Sequence, residues 1–217
     1  MVVDWDHNAY YHGLLLRHLP RPCGRVLDVG CGAGSFATDL AKHAGHVDAL
    51  DRSPAMIEVA RQVTPPNVTC ILADVLHEPL PDDSYDAIVS INALHHMPLA
   101  GALRRLSAGL RPGGVLAVAA LPRRDLPREL PVELVATVSN RLLGVSFAAL
   151  RASGRGSWYA KEPSHRFMPV VLDPELTTRQ VRRQVSALLP GAQVRRLVFW
   201  HYFLLWHKPA RTALADP

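Results

Sequence analysis

The sequence has few cysteines and no long apolar run. Three of its 217 residues are cysteines, without the Cys-x-x-Cys or paired spacing of a zinc site. This pattern argues against a disulfide framework and a metal centre and indicates a reducing, cytoplasmic location. No stretch approaches the roughly 20 uninterrupted apolar residues that span a bilayer, and the start lacks the features of a signal peptide. We therefore expect no membrane partner.

Charge is divided unevenly along the chain. Residues 1–120 carry a net charge of −3 and residues 121–217 a net charge of +8, which gives the total of +5. Such asymmetry can mark a nucleic-acid surface. The arginines, however, occur in scattered pairs such as Arg123-Arg124 and Arg195-Arg196, without a dense basic run. The distribution favours a solvated surface over a nucleic-acid interface.

The segment VLDVGCGAGSFA, residues 26–37, is the most informative one. Val26, Leu27 and Val29 predict a short buried strand, and residues 35–43 predict the helix that follows. Between them the alternating glycines allow positive φ angles and a close approach of another molecule to the backbone. Such a turn opens the crevice of a doubly wound sheet, so we expect a nucleoside-like ligand there.

The glycine spacing discriminates among such ligands. The pattern is G-x-G-x-G preceded by Asp28, and not the G-x-G-x-x-G of dinucleotide-binding folds. It resembles the first motif of class I S-adenosylmethionine-dependent methyltransferases, of the small methyltransferase-domain type found in small-molecule and natural-product metabolism. The resemblance implies S-adenosylmethionine as the cofactor.

Acidic residues follow the next two predicted strands. Asp51 ends an apolar strand over 47–50, about 20 residues after the first glycine, where a carboxylate can accept hydrogen bonds from both ribose hydroxyls. Asp74 and Val75 follow a third strand over 68–72. In the resembled family an acidic residue at this place binds the adenine amino group, and the next backbone amide binds the ring.

Two later segments extend the resemblance over residues 25–120. A fourth strand over 85–91 is followed by Asn92, His95 and His96, and a Pro-Gly-Gly turn precedes the fifth strand. The predicted cofactor-binding residues are Tyr11, Asp28, Gly30, Cys31, Gly32, Gly34, Asp51, Arg52, Met56, Asp74, Val75, Ile91, Asn92, His95 and His96.

The alternation of strands and helices predicts one α/β domain over 1–217. We expect a doubly wound, Rossmann-like, seven-stranded and mostly parallel sheet with an antiparallel C-terminal strand. A long helix over 174–189, capped by Asp173, precedes segment 194–209, which leaves only a few residues for a reversal. The last two strands are therefore predicted to form an antiparallel pair. In the resembled family the seventh strand inserts between the fifth and the sixth.

Residues 121–172 form an insertion beyond this sheet. A helix over 129–143, with apolar residues recurring every fourth position, is predicted to cover the pocket mouth, and the loop 152–167 is a candidate for ligand contact. The helical apolar positions are Leu130, Leu134, Val138 and Leu142. The loop contains Trp158, Tyr159, His165 and Arg166. Near the start, Tyr11 or His12 is a candidate contact for the methionine end of the cofactor.

The resulting interpretation is methyl transfer to the oxygen, nitrogen or carbon of a small organic acceptor. Holding the reactants in line supplies much of the rate, and His95 or His96 is a candidate general base because imidazole accepts a proton near neutral pH. Two alternatives stay open: a cofactor-binding cyclase without methyl transfer, and an RNA methyltransferase. The end of the fourth strand lacks the Asn-Pro-Pro-Tyr motif of base-amine methylation. The sequence leaves the acceptor and the oligomeric state undetermined.

Overall fold

A computed structural model of the protein describes residues 5–154, Gly156, Tyr159 and 174–210. Strands and helices alternate along them up to the fifth strand, except that β3 is followed directly by β4. The strands are β1 (Arg25–Val29), β2 (His46–Asp51), β3 (Val68–Leu72), β4 (Tyr85–Ile91), β5 (Leu110–Ala120), β6 (Gln193–Arg196) and β7 (Tyr202–His207). The helices are α1 (His7–Leu16), α2 (Ser35–Leu40), α3 (Pro54–Val63), α4 (Leu99–Gly109), α5 (Leu126–Ala152) and α6 (Thr178–Leu188), with a 3₁₀ turn over Leu94–His96.

The seven strands form one sheet in the order β3-β2-β1-β4-β5-β7-β6. The pairs from β3 to β5 are parallel, whereas β7 runs antiparallel to both β5 and β6. Only residues 197–201 connect β6 to β7, too few for a crossover, so the chain must reverse. The predicted Rossmann-like fold and the insertion of the last strand are confirmed.

Helices cover both faces of the sheet. Leu15 of α1, Leu40 of α2 and Ile57 of α3 pack in one buried apolar cluster, and Leu103 of α4 and Val185 of α6 pack in the other. Successive strand residues point to opposite faces, so each buried strand contributes to both clusters. Because this sheet is fixed from both sides, the carboxyl ends of its strands can position side chains precisely.

The bounds of several predicted helices change in the structure. The last helix begins at Thr178 and not at residue 174, because Thr177 and Gln180 form a reciprocal capping box. Asp173, the predicted cap, lies outside the described residues. At α3 the predicted cap Ser53 is confirmed, since its hydroxyl accepts from the backbone N–H of Met56. Helix α2 ends at Leu40, three residues earlier than predicted.

Helix α5 is longer than the predicted 129–143 and differs in role. Its recurring apolar residues Leu130, Leu134, Val138 and Leu142 are exposed, and no residue of α5 lines either of the two cavities described below. The stripe lines neither cavity because α5 packs through its opposite face, and coverage of the pocket mouth by the 121–172 insertion stays a prediction. Trp158, His165 and Arg166 lie outside the described residues.

One helical segment, Arg128–Ala152 of α5, is long and apolar enough to cross a membrane by length and composition. Within this segment Glu133 is buried and forms an ion pair with Arg196 of β6. This ion pair fastens α5 to the edge strand of the sheet.

Candidate active site

A cavity of about 210 Å³ opens at the carboxyl ends of β1 to β4. The strand order reverses between β1 and β4, which is the place where α/β sheets bind ligands. The structure brings twelve of the predicted residues to the cavity wall: Asp28, Gly30, Cys31, Gly32, Asp51, Arg52, Met56, Asp74, Val75, Ile91, Asn92 and His96.

The glycine turn after β1 leaves bare backbone on the cavity. Gly30 has a φ of 76°, and a Cβ atom there would lie 2.3 Å from the Cβ of Ala93. The N–H groups of Gly30 and Cys31 both donate to the carbonyl of Leu50, which ties the turn to β2. A side chain at position 30 would therefore displace the segment after β4 that forms the opposite wall.

Asp51 is held by two backbone amides. Its carboxylate accepts from the N–H of Gly32 at 2.9 Å and from that of Ser53 at 2.8 Å. The first bond joins the end of β2 to the glycine turn, and the second joins it to the start of α3. The carboxylate thus keeps one orientation while it faces the cavity.

Asp74 lies on the wall after β3. Its carboxylate accepts from the N–H of Leu76 at 2.8 Å and lies 3.1 Å from Nδ1 of His77. The amide hydrogen bond, followed by the contact with His77, lowers the pKa of Asp74 below its ordinary value. The group is therefore an ionised acceptor at neutral pH.

Asp28 is the most deeply buried acidic group of the cavity. It is 1% exposed, and its Oδ2 has no hydrogen-bond partner among the described residues. Burial, followed by the nearby carboxylate of Asp51, raises the pKa of Asp28 to about 8. A buried polar atom without a partner is costly, so a ligand that supplies a donor or a positive charge is stabilised here.

Helix α1 closes the cavity beside Asn92. The Asn92 Nδ2 donates to Oδ1 of Asn8 at 2.5 Å, whereas Oδ1 of Asn92 is buried without a described partner. His12, on the same helix, also lines the cavity, and its Nδ1 lies 2.9 Å from Asp39. These two contacts fix the start of the chain against β4 and α2.

The two histidines after β4 lie in different environments. Their rings are 4.1 Å apart, but His96 lines the large cavity and His95 lines a smaller one together with Glu175 and Tyr202. Burial, then the neighbouring His96 and His201, lowers the pKa of His95 to about 3. Burial also lowers the pKa of His96. Both imidazoles are neutral at physiological pH.

Three predicted residues do not line the large cavity: Tyr11, Gly34 and His95. The Tyr11 hydroxyl donates to the carbonyl of Val198, and the ring is buried. Its position on α1 places the side chain against the segment between β6 and β7. Gly34 has a φ of 85° and caps α2 behind the turn.

Residues not predicted for the cofactor site also contribute to the wall. Asp6 and Asn8, at the start of α1, and Phe36, at the start of α2, line the cavity. The Asp6 carboxylate accepts from the amides of Asn8 and Ala9, which is an N-cap that the sequence shows only as an acidic residue before a helix.

Comparison with known proteins identifies the family. A family model described as a methyltransferase domain matches residues 26–114. An uncharacterized methyltransferase of Mycobacterium bovis is 31% identical over 214 residues, which cover 96% of this chain and all of the relative. The chain belongs to the class I S-adenosylmethionine-dependent methyltransferases. The predicted family is thereby confirmed.

Two further similarities are partial or structural. The 2-methyl-6-phytyl-1,4-hydroquinone methyltransferase of Synechocystis is 39% identical over 115 residues, 51% of this chain and 36% of the relative. The crystal structure of the N-methyltransferase NodS from Bradyrhizobium japonicum, in complex with S-adenosylhomocysteine, aligns with a TM-score of 0.60. It is 16% identical and covers 95% of this chain and 90% of that chain, a similarity that shows the fold.

The cofactor of the methyltransferase is S-adenosylmethionine, and the residues present fit it. The unpartnered Oδ2 of Asp28 and the unpartnered Oδ1 of Asn92 are acceptors for a cationic or N–H-bearing group. Asp51 and Asp74 offer further carboxylate oxygens, and the glycine turn offers open backbone. A nucleoside with hydroxyls, an exocyclic amino group and an ammonium group supplies the donors that match this set of acceptors.

Proposed function

We propose that the methyltransferase acts on a small organic acceptor at the cavity formed by β1, β2, β3, β4 and α1. The observation that carries this proposal is the convergence of Asp28, Asp51, Asp74 and His96 on one cavity at the strand ends. Convergent polar groups in a single well-formed cavity are typical of small-molecule sites.

The chain's own residues would hold the cofactor in a fixed orientation. Asp51, which two backbone amides orient, would accept from the ribose hydroxyls, and Asp74 with the Val75 amide would hold the adenine. Asp28 would hold the amino group of the methionine moiety. When bound, S-adenosylmethionine supplies a methyl group activated on a sulfonium sulfur. Orientation of that group against the acceptor supplies much of the rate.

His96 is the better of the two histidines for accepting the acceptor's proton. It lines the large cavity, whereas His95 lines the smaller one. A pKa of about 3 makes His95 a weak base, and burial lowers the pKa of His96 as well. The His96 imidazole would hold the proton released when the acceptor attacks.

One similarity supports a chemical class of acceptor, and one contact supports the location of the acceptor site. The Synechocystis relative is a hydroquinone methyltransferase, and this similarity supports a hydroxylated organic acceptor and a role in small-molecule metabolism. Leu121, at the start of the 121–172 insertion, lines the smaller cavity beside His95. Because the rings of His95 and His96 are 4.1 Å apart, this contact supports an acceptor site that extends from the large cavity toward the insertion. In this proposal residues 1–217 act as one catalytic domain.

An RNA acceptor receives less support. Two arginines of the basic C-terminal half are engaged within the fold, since Arg182 donates to the carbonyl of Val194 and Arg196 pairs with Glu129 and Glu133.

The location that we propose is the reducing cytoplasm. The free cysteines Cys23, Cys31 and Cys70 support it, because disulfides are rare in that compartment.

The test follows a labelled methyl group. The purified protein is incubated with S-adenosylmethionine labelled in the methyl group and with hydroquinones, phenols and amines, and both S-adenosylhomocysteine and labelled product are quantified. Equimolar formation of the two supports the proposal. A converted substrate without S-adenosylhomocysteine would indicate the cyclase alternative, and label transferred only to added RNA would indicate the RNA alternative. Either result overturns the small-molecule methyl acceptor.

A further inference from the structure

Helix α5 presents an apolar stripe to solvent. Leu130, Leu134, Val138 and Leu142 are 63%, 66%, 50% and 64% exposed. Residues four apart lie almost above one another on an α-helix, so these four side chains form one continuous stripe that winds gradually around the helix axis. Large exposed aliphatic side chains in such a row mark a surface that contacts something apolar.

The opposite side of α5 is fastened to the rest of the fold. Ala136 and Phe147 are buried, and Trp5 donates from its ring nitrogen to Oδ1 of Asn140 at 2.8 Å. Val138 and Phe147 are nine residues apart, about two and a half helical turns, so they lie on opposite sides. Helix α5 is thus apolar on both sides, and one side has no cover among the described residues.

The acidic residues of α5 and of the segment before it are paired with arginines of the fold. Both acidic residues of the helix, Glu129 and Glu133, turn inward and pair with Arg196 of β6. Asp125, just before the helix, pairs with Arg128. The carboxylates are therefore neutralised by partners within the fold.

Three exposed arginines of α5 and of the segment before it have no such partner. Arg141 lies on α5, Arg123 and Arg124 lie just before its first residue, and no carboxylate of the described residues pairs with these three side chains. The exposed side of α5, together with the segment that leads into it, therefore combines aliphatic side chains with uncompensated positive charge. A complementary partner surface would have an apolar interior and negatively charged groups at its boundary with water.

We propose that α5 is a membrane-contact helix that lies in the plane of an anionic phospholipid surface. Helices with aliphatic residues on one side and arginines beside them bury the aliphatic side chains at the boundary of headgroups and acyl chains. Arginine stems reach past the apolar surface to anionic headgroups, each adding to the attraction. The sequence-based expectation of no membrane partner considered only spanning segments, and this contact does not span.

A second copy of the chain is the competing occupant. It would also cover aliphatic residues, but an isologous interface would bring Arg141 of each copy toward the same shared surface. Anionic lipid neutralises the three arginines, whereas a second identical face adds more positive charge. The charge pattern therefore favours lipid.

The test is sedimentation of the full chain with vesicles of phosphatidylcholine alone or mixed with phosphatidylglycerol. We expect binding to the anionic vesicles to exceed binding to the neutral ones about tenfold or more and to fall at high salt. The double variant L134Q/L142Q should lose most of the binding, and R123Q/R124Q should lose the preference for anionic vesicles. The matched controls V63Q/L72Q and R61Q/R104Q change exposed residues on other elements and should bind as the parent protein does.

Two results would overturn the proposal. One is the absence of vesicle binding, or binding that the α5 variants leave unchanged. The other is a dimer, measured by light scattering without lipid, that L134Q/L142Q converts to a folded monomer; this would assign the stripe to a second copy. Folding of each variant is checked by thermal unfolding. Because vesicle binding requires no methyl transfer, either outcome leaves the proposed function separately testable.

Discussion

The carboxyl groups of Asp28 and Asp51 face one cavity from neighbouring parallel strands, and only Asp51 is satisfied by backbone donors. Asp28 lies within β1 and is 1% exposed, whereas Asp51 is the last residue of β2 and is only partly buried. Burial and the negative charge of Asp51 therefore act together on Asp28 and raise its pKa to about 8. The free protein pays an electrostatic cost at this position that a cationic ligand group can offset.

Asp28→Asn is expected to stabilise the ligand-free protein at alkaline pH. The unfolded chain releases the Asp28 proton near pH 3.8 and the folded chain near pH 8, so the folded state binds more protons between these values and its stability falls as the pH rises. Asparagine does not titrate, so Asp28→Asn should lack this decrease in stability with rising pH. Thermal unfolding should show a melting temperature at pH 8 that is higher by about 3 °C or more.

The pH dependence at acidic pH has the opposite sign. Burial lowers the pKa of His95 to about 3 and that of His201 to about 4, so the unfolded chain binds more protons below pH 6.5 and stability rises with pH there. We expect Asp28→Asn to keep this acidic limb. The exposed residue Asp82 supplies the control, and an alkaline decline equally steep in Asp28→Asn and Asp82→Asn would contradict the role of Asp28.

Local sequence determines much of the fold and of the cofactor site. Asp51 and Asp74 are predictable because each follows an apolar strand, and parallel strands end at one edge of the sheet. The glycine turn is predictable because positive φ angles and the contact of Gly30 with Ala93 admit only glycine. The antiparallel position of β7 follows from the short connection after β6.

Features that depend on long-range packing could not be predicted. The periodicity of α5 reveals an apolar stripe, but tertiary contacts such as the burial of Phe147 and the ion pair of Glu133 with Arg196 show which side packs inward. Tyr11 and His12 are adjacent in sequence, and the position of α1 decides that His12 faces the cavity and Tyr11 faces Val198. His95 and His96 are likewise separated by the 3₁₀ turn that contains both.

Asp51→Ala should weaken the binding of S-adenosylhomocysteine by about tenfold or more, equivalent to ~1.4 kcal/mol. The lost contacts are charge-assisted hydrogen bonds to the ribose. Calorimetry with adenosine and with a dideoxy analogue that lacks both ribose hydroxyls separates this effect from loosening of the glycine turn. The variant should bind adenosine more weakly than the parent protein does and should bind the dideoxy analogue equally well. An equal loss of affinity for both ligands would assign Asp51 a structural role. Asp82→Ala is the control.

Leu204→Ala should lower the free energy of unfolding by about 2–5 kcal/mol, because the side chain is fully buried in β7 between β5 and β6. Deletion of residues 194–209 should abolish folding, since it exposes the apolar edge of β5. Chemical denaturation measures the first effect, and Val198→Ala, at an exposed position, should change stability by less than about 0.5 kcal/mol. A folded deletion variant would show that β7 is peripheral.

His96→Ala should lower turnover by roughly 100-fold while S-adenosylhomocysteine binds nearly as before, because the imidazole accepts a proton in the reaction and contributes little to cofactor affinity. His95→Ala should reduce turnover less, since its side chain lines the smaller cavity and its pKa of about 3 makes it a weak base. Burial lowers the pKa of His96, so its protonation, and the acidic limb of the pH–rate profile, should lie below pH 6.5 and vanish in His96→Ala. Steady-state kinetics across pH with an identified acceptor, together with calorimetry, measures both effects. An unchanged acidic limb in His96→Ala would show that orientation alone supplies the rate, and loss of cofactor binding in that variant would place His96 in the adenosine site.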